Sequence, residues 1–272
     1  MRLSCRLAAI LFFTASAGCV LAAPLNVFVS VLPQKQMVEQ IGGDQVRVSA
    51  MVLPGHNPAS YEPSPRQVVA LAGADLYVRI GVPFESAWLG RIQSANPAMP
   101  VWDMRDAVNS GGDPHVWTDP LRVQAMAARL RDRLTEMRPQ QQTLFEANYR
   151  AYAGELAALD KELKARFAPY QGRSFLVFHP AWGHFAQRYG LRQLAVEQEG
   201  KEPGPKAMQR LIAEARDLGL TTLFVEPQFH HHASHTVAEG FDGKEVQIDP
   251  LAPDLVTSLR AVSLKIVESM QP

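Results

Sequence analysis

Cysteine is almost absent from this chain of 272 residues: there are two, Cys5 and Cys19, and both lie near the start. A mature protein beginning beyond them has no intramolecular disulfide and no thiolate to offer a metal. An excess of either charge sign is lacking too. Lysine and arginine together number 27, as do aspartate and glutamate, so no long-range field favours nucleic acid, which is excluded as a partner. No stretch after the first residues approaches roughly 18 uninterrupted apolar positions, so no membrane-spanning helix is expected. Hydrolase signatures are also missing: there is no HExxH pair, and no serine sits in a nucleophile elbow. The chain is therefore not expected to be an enzyme.

What is present begins with an export signal over residues 1–23. Arg2 and Arg6 flank the start of an apolar run from Leu7 to Phe13, and small residues follow to Ala23. Cleavage after Ala22 or Ala23 predicts a periplasmic protein, with Pro24 disfavouring the second site. The alternative is lipid anchoring at Cys19, since Ala17-Gly18-Cys19 loosely resembles the end of a lipoprotein signal; Ser16 stands where a larger apolar residue is usual. Loss of the signal removes two arginines and leaves a slightly acidic chain.

Short β-branched and apolar runs at Leu25–Val31, Val46–Val52 and Asp75–Ile80 alternate with apolar-periodic segments, and the pattern returns at Ser174–Phe178, Thr222–Val225 and Glu245–Ile248. This is the signature of parallel strands with crossover helices, repeated in two α/β units. Between them Phe145, Tyr149, Tyr152, Leu156, Leu159, Leu163 and Phe167 recur at steps of three and four, on one stripe of a long helix. At 1.5 Å per residue its roughly 28 residues span about 40 Å. A preceding helix is expected to start with Asp119 as its cap and Pro120 at its first position, burying Met126, Leu130, Leu134 and Met137. The expected division is an N-terminal lobe over 24–138, a connecting helix over 139–170 and a C-terminal lobe over 171–272.

Candidate chemistry rests on histidine. In open α/β sheets ligands bind beyond the carboxyl ends of strands, and His179, Glu226 and Asp249 each follow a predicted strand. His115 lies in Asp113-Pro114-His115-Val116-Trp117-Thr118-Asp119-Pro120, where two prolines restrict the backbone. A metal ligand and a locally hydrogen-bonded turn histidine both suit that loop. Glu226 is a candidate acceptor for a ligating imidazole, with helix capping or an ion pair as the alternative. His184 is read as a packed or surface residue. The four tryptophans, Trp88, Trp102, Trp117 and Trp182, are read as core or cleft wall.

Five ordered stretches carry a resemblance. They are Pro54-Gly55 with Tyr61-Glu62-Pro63-Ser64-Pro65, the His115 loop, Phe178-His179-Pro180-Ala181-Trp182 with Arg188-Tyr189-Gly190, Phe224-Val225-Glu226-Pro227-Gln228, and Ile248-Asp249-Pro250-Leu251. Together they resemble the zinc- and manganese-specific solute-binding proteins of bacterial ABC importers, over nearly the whole mature length. The resemblance implies two Rossmann-like α/β lobes with parallel sheets, joined by a long rigid α-helix, with the metal in the cleft between them. It implies His115, His179 and Asp249 as ligands, Zn2+ as cargo with Mn2+ as the alternative, and the permease of an inner-membrane ABC importer as partner. A monomer is expected, and a periplasmic metal chaperone is a further candidate partner. Imidazole and carboxylate donors suit zinc.

Two departures stand out. Members usually carry histidine directly after the proline of the first loop, but here Ala59 follows Pro58. His56 is the nearby replacement, with Gly55 giving the loop freedom to bring it inward; water or Glu62 is the alternative. The second departure is the cluster His230, His231, His232 and His235, readable as a capture site or a solvated loop. Two other functions remain open at this point: a zinc hydrolase with an open coordination position, and a surface-displayed adhesin.

Overall fold

A computed structural model describes residues 23–197, 200–228 and 234–271. The first half carries β1 (Leu25–Val29), α1 (Leu32–Gly42), β2 (Val46–Ala50), α2 (Pro65–Ala70), β3 (Leu76–Arg79), α3 (Pro83–Ala95) and β4 (Val101–Asp103). Two long helices follow, α4 (Pro120–Met137) and α5 (Gln142–Phe167). The second half carries β5 (Ser174–Val177), α6 (Gly183–Arg188), β6 (Arg192–Ala195), α7 (Pro205–Asp217), β7 (Thr222–Val225), α8 (Ser234–Gly240), β8 (Lys244–Gln247) and α9 (Leu255–Ser269). The strands form two parallel sheets with the same plan, ordered β2-β1-β3-β4 and β6-β5-β7-β8. The resemblance implied this architecture, two α/β lobes and a long helix, and the chain has it.

Six strands fall where the apolar runs predict them, β7 with the same bounds and the others within a few residues. β4 and β6 were not anticipated. Both are outer strands of three or four residues whose side chains are at most half-buried, so neither shows a continuous apolar run or a clean alternation.

Helix α4 starts as its sequence predicts: Pro120 is in the first turn and the Asp119 side chain accepts a hydrogen bond from the Leu121 N–H. It buries Met126, Leu130 and Leu134, whereas Met137, expected inside, is only half-buried at the helix's last position. In α5 every member of the predicted stripe is buried except Tyr149, which is half-buried with the Arg131 guanidinium 4.6 Å above its ring. The helix has 26 residues, about 39 Å at 1.5 Å each, with a 3-10 turn at either end, Pro139–Gln141 and Ala168–Tyr170.

The lobes are not separate cores. Among the described residues, apolar side chains of both sheets, α4, α5 and α9 make one contiguous buried cluster, and the region around Leu176, Phe178, Leu223 and Val237 forms a second. Polar contacts add to it: the Trp117 indole donates to the Pro250 carbonyl at 2.7 Å, and Gln36 of α1 accepts from the Leu255 amide at 2.8 Å. Among the described residues no helix is long and apolar enough to cross a membrane.

Candidate metal centre

Strand carboxyl ends from both sheets converge on one cavity of about 320 Å³. The first sheet contributes Asn57, Pro58 and Ala59 beyond β2 and Val82 and Pro83 beyond β3; the second contributes His179 beyond β5, Glu197 beyond β6, and Pro250 and Leu251 beyond β8. His115 and Trp117 enter from the loop before α4. Parallel topology causes this convergence, because in both sheets the chain steps out to one side of the first strand and then back to the other, opening a crevice at the carboxyl edge.

Each wall is fixed locally. Beyond β3 the buried Glu85 carboxylate accepts from the Ile80 and Gly81 amides at 2.8 Å each and from Arg79. Gly81 has φ +82°, and a Cβ there would fall about 2.0 Å from the Arg105 guanidinium, so the turn requires glycine. In the His115 loop Asp113 Oδ1 accepts from the His115 amide at 2.9 Å and from its Nδ1 at 2.7 Å, and the Thr118 hydroxyl donates to the His115 carbonyl at 2.9 Å. The Trp117 ring meets His115 edge-on, centroids 5.3 Å apart.

At the centre His115 Nε2 and His179 Nε2 are 3.3 Å apart. Behind them each Nδ1 donates to a carboxylate, Asp113 for His115 and Glu197 for His179, the latter at 2.6 Å. This assigns the tautomer: with Nδ1 carrying the proton, Nε2 presents its lone pair. Desolvation holds the His115 imidazole below its ordinary pKa, helped by His179 and His184 nearby and opposed by Asp113. Burial pushes the Asp113 carboxyl up, but the hydrogen bonds it accepts from the His115 ring and backbone outweigh this, leaving it below the ordinary range.

Glu226, the candidate acceptor for an imidazole, meets His179 at its backbone N–H. It is buried beyond β7 and accepts from the His179 backbone N–H at 3.4 Å, and burial drives its pKa well up. Sequence reasoning passed over Glu197, whose signal is its place one residue beyond the unrecognised β6. His184 is packed, as expected, and its Nε2 reaches the Asp113 carbonyl at 3.1 Å, bracing the loop that holds His115. Trp117 and Trp182 are buried and Trp88 and Trp102 half-buried against the core.

The remaining candidates stand apart from the pair. Asp249 lies beyond β8 in an adjoining cavity of about 150 Å³; its Oδ1 accepts from Gln228 at 2.5 Å and from the Leu251 amide at 2.8 Å. His56 is exposed, its Nδ1 3.1 Å from the Pro54 carbonyl and its ring edge-on to Tyr61, although Gly55 adopts the left-handed φ of +78° that the loop was expected to use. Among the described residues no group of three or more histidine, cysteine or acidic side chains is already gathered for a metal. Of the histidine cluster, His230, His231 and His232 lie outside the described residues; His235 is exposed and pairs with Glu239 at 3.1 Å.

A family model for the periplasmic component A of the zinc-uptake complex, ZnuA, matches residues 27–262. The chain belongs to the ZnuA family. As a ZnuA-family member it is a metal-capturing solute-binding receptor for ABC import, and the family is periplasmic. The high-affinity zinc uptake system protein ZnuA of Paracoccus denitrificans is 28% identical over 257 residues, 78% of each chain. A zinc-bound deletion mutant of ZnuA superposes with a TM-score of 0.87 at 37% identity, covering 92% of this chain and all of that one. The laminin-binding protein of Streptococcus agalactiae, described as an adhesin with metal-transporting activity, shares the fold at a TM-score of 0.81 and 23% identity, covering 91% of this chain and all of that one. In this ZnuA-family protein the best-formed part of the site is thus the pair His115 and His179 with its two carboxylates.

Proposed function

We propose that this receptor captures a zinc ion between His115 and His179 and passes it, without catalysis, to the permease of an ABC importer. The observation that carries the reading is the 3.3 Å between the two Nε2 atoms. Two nitrogens bound at about 2.0–2.1 Å to a tetrahedral zinc ion stand about 3.3 Å apart. With both Nδ1 protons given to carboxylates, the two Nε2 lone pairs face one point, where a shared cation fits. Asp249 is the third ligand in this reading: its Oδ2 takes none of the hydrogen bonds that engage Oδ1. His56 is exposed, with its Nδ1 on the Pro54 carbonyl, and joins only if its loop carries Nε2 inward. A nitrogen-rich set favours zinc over manganese.

The test is a zinc titration of the mature chain against a competing chromophoric chelator, beside His115→Ala, His179→Ala, Asp249→Ala and His56→Ala. One tight equivalent for wild type, weakened at least tenfold by each of the first three changes, is expected. Wild-type affinity in His115→Ala would sink the proposal.

A further inference from the structure

Gln228 follows β7 in Phe224-Val225-Glu226-Pro227-Gln228, and the fold lays its side chain against Asp249 beyond β8. It is only 8% exposed, and half of its amide is used: Nε2 donates to Asp249 Oδ1 at 2.5 Å, whereas among the described residues the buried Oε1 has no partner. Turning the amide over would set Oε1 against the carboxylate, so the Nε2 donation fixes its orientation. The Leu251 amide donates to the same Oδ1 at 2.8 Å. A carboxylate oxygen has two lone-pair sites, and both of those on Oδ1 are taken. The backbone is anchored as well: the Asp249 carbonyl accepts from the Ser258 hydroxyl at 3.2 Å, and the Pro250 carbonyl from the Trp117 indole at 2.7 Å. The carboxylate is thus held against rotation that would exchange its two oxygens.

We infer that Gln228 sets the metal choice of this site: by occupying Oδ1 together with the Leu251 amide, it restricts Asp249 to ligation through one oxygen, Oδ2. The inference rests on the reading of Asp249 as third ligand given above. Zinc in a nitrogen-rich shell is four-coordinate and takes a single carboxylate oxygen. Manganese prefers an octahedral shell made mostly of oxygens. With two imidazoles and one carboxylate oxygen, half of such a shell would be left to solvent. A carboxylate offering both oxygens would serve manganese better, and Gln228 withholds the second. Gln228 acts on the ligand and not on the ion, so it is a positioning residue.

The experiment compares competition titrations with Zn2+ and with Mn2+ for the mature chain, Gln228→Met, Gln228→Asn and Asp249→Ala. Methionine keeps the length and bulk of the side chain without its donor, and asparagine keeps the amide one methylene short of Asp249. Each protein is also loaded with Co2+, whose visible d–d band is intense at four-coordinate cobalt and weak at six-coordinate cobalt. In both Gln228 variants the ratio of zinc to manganese affinity should fall about tenfold, and the cobalt band should weaken. A role confined to packing would move neither the ratio nor the band. An unchanged ratio and band in folded Gln228→Met, or equal losses of both metals, would overturn the inference while leaving zinc capture intact; Gln228→Asn, with a polar amide still in the buried position, decides if Gln228→Met does not fold. Wild-type zinc affinity in Asp249→Ala would overturn the third-ligand reading and this inference together.

Discussion

Glu197 holds the Nδ1 of His179 at 2.6 Å, from the turn beyond an outer strand of the second sheet. This pairs His179 with a carboxylate as Asp113 pairs His115, so each imidazole is oriented through its Nδ1. Removing such a partner typically costs 10–100-fold in metal affinity. Glu197→Ala should therefore weaken zinc binding by that factor in the competition titration, with circular dichroism unchanged. Glu197→Gln, which keeps a carbonyl acceptor, should lose less. Equal affinity in wild type and Glu197→Ala would mean that packing alone orients His179.

Acid stability should depend on Asp160. Burial pushes this carboxyl up, but Arg188 at 2.9 Å and Lys164 at 2.9 Å, bridging α5 to α6, outweigh it and leave the pKa below the ordinary value. A carboxylate depressed in the folded state contributes stability that is fully present above its unfolded pKa, about 3.9, and is lost as pH falls through the folded value. Asp160→Asn should thus lower the urea midpoint at pH 7, and the gap from wild type should narrow as pH drops below about 4. A gap that stays constant from pH 7 to pH 3 would exclude this charge contribution.

The lobes are pinned together by the Trp117 indole on the Pro250 carbonyl, 2.7 Å apart and both buried. Trp117→Phe keeps an aromatic filler and strands the carbonyl, a loss of about 1–3 kcal/mol. The urea midpoint should fall by the corresponding amount. An unchanged midpoint would show that water replaces the indole N–H.

Much of the architecture was legible in the chain because its cause is local. The runs that became β1, β3, β5 and β7 are apolar on both faces, as strands covered by helices must be, and the three-and-four spacing from Phe145 to Phe167 left no other face for α5 to bury. β4 and β6 escaped because an outer strand is held by backbone pairing, which leaves little mark on side-chain composition. With β6 unrecognised, Glu197 had no strand end to mark it, whereas Glu226 follows a strand the sequence does show and accepts from the His179 backbone N–H.

The sequence by itself determined which residue types are available for the chemistry: no thiolate beyond Cys19, a histidine in a proline-bounded loop, a histidine and an aspartate after strands, and an alanine following Pro58. Those follow from identity and local backbone restriction. Only the tertiary structure decided which of them meet. His115 and His179 are 64 residues apart and touch because two sheets of the same topology present their carboxyl edges to one crevice, while His56 turns to Pro54 and Tyr61 although its loop lies at the same rim. Distances between lobes are set by the shared core of α4, α5 and α9, and no local pattern in the chain encodes them.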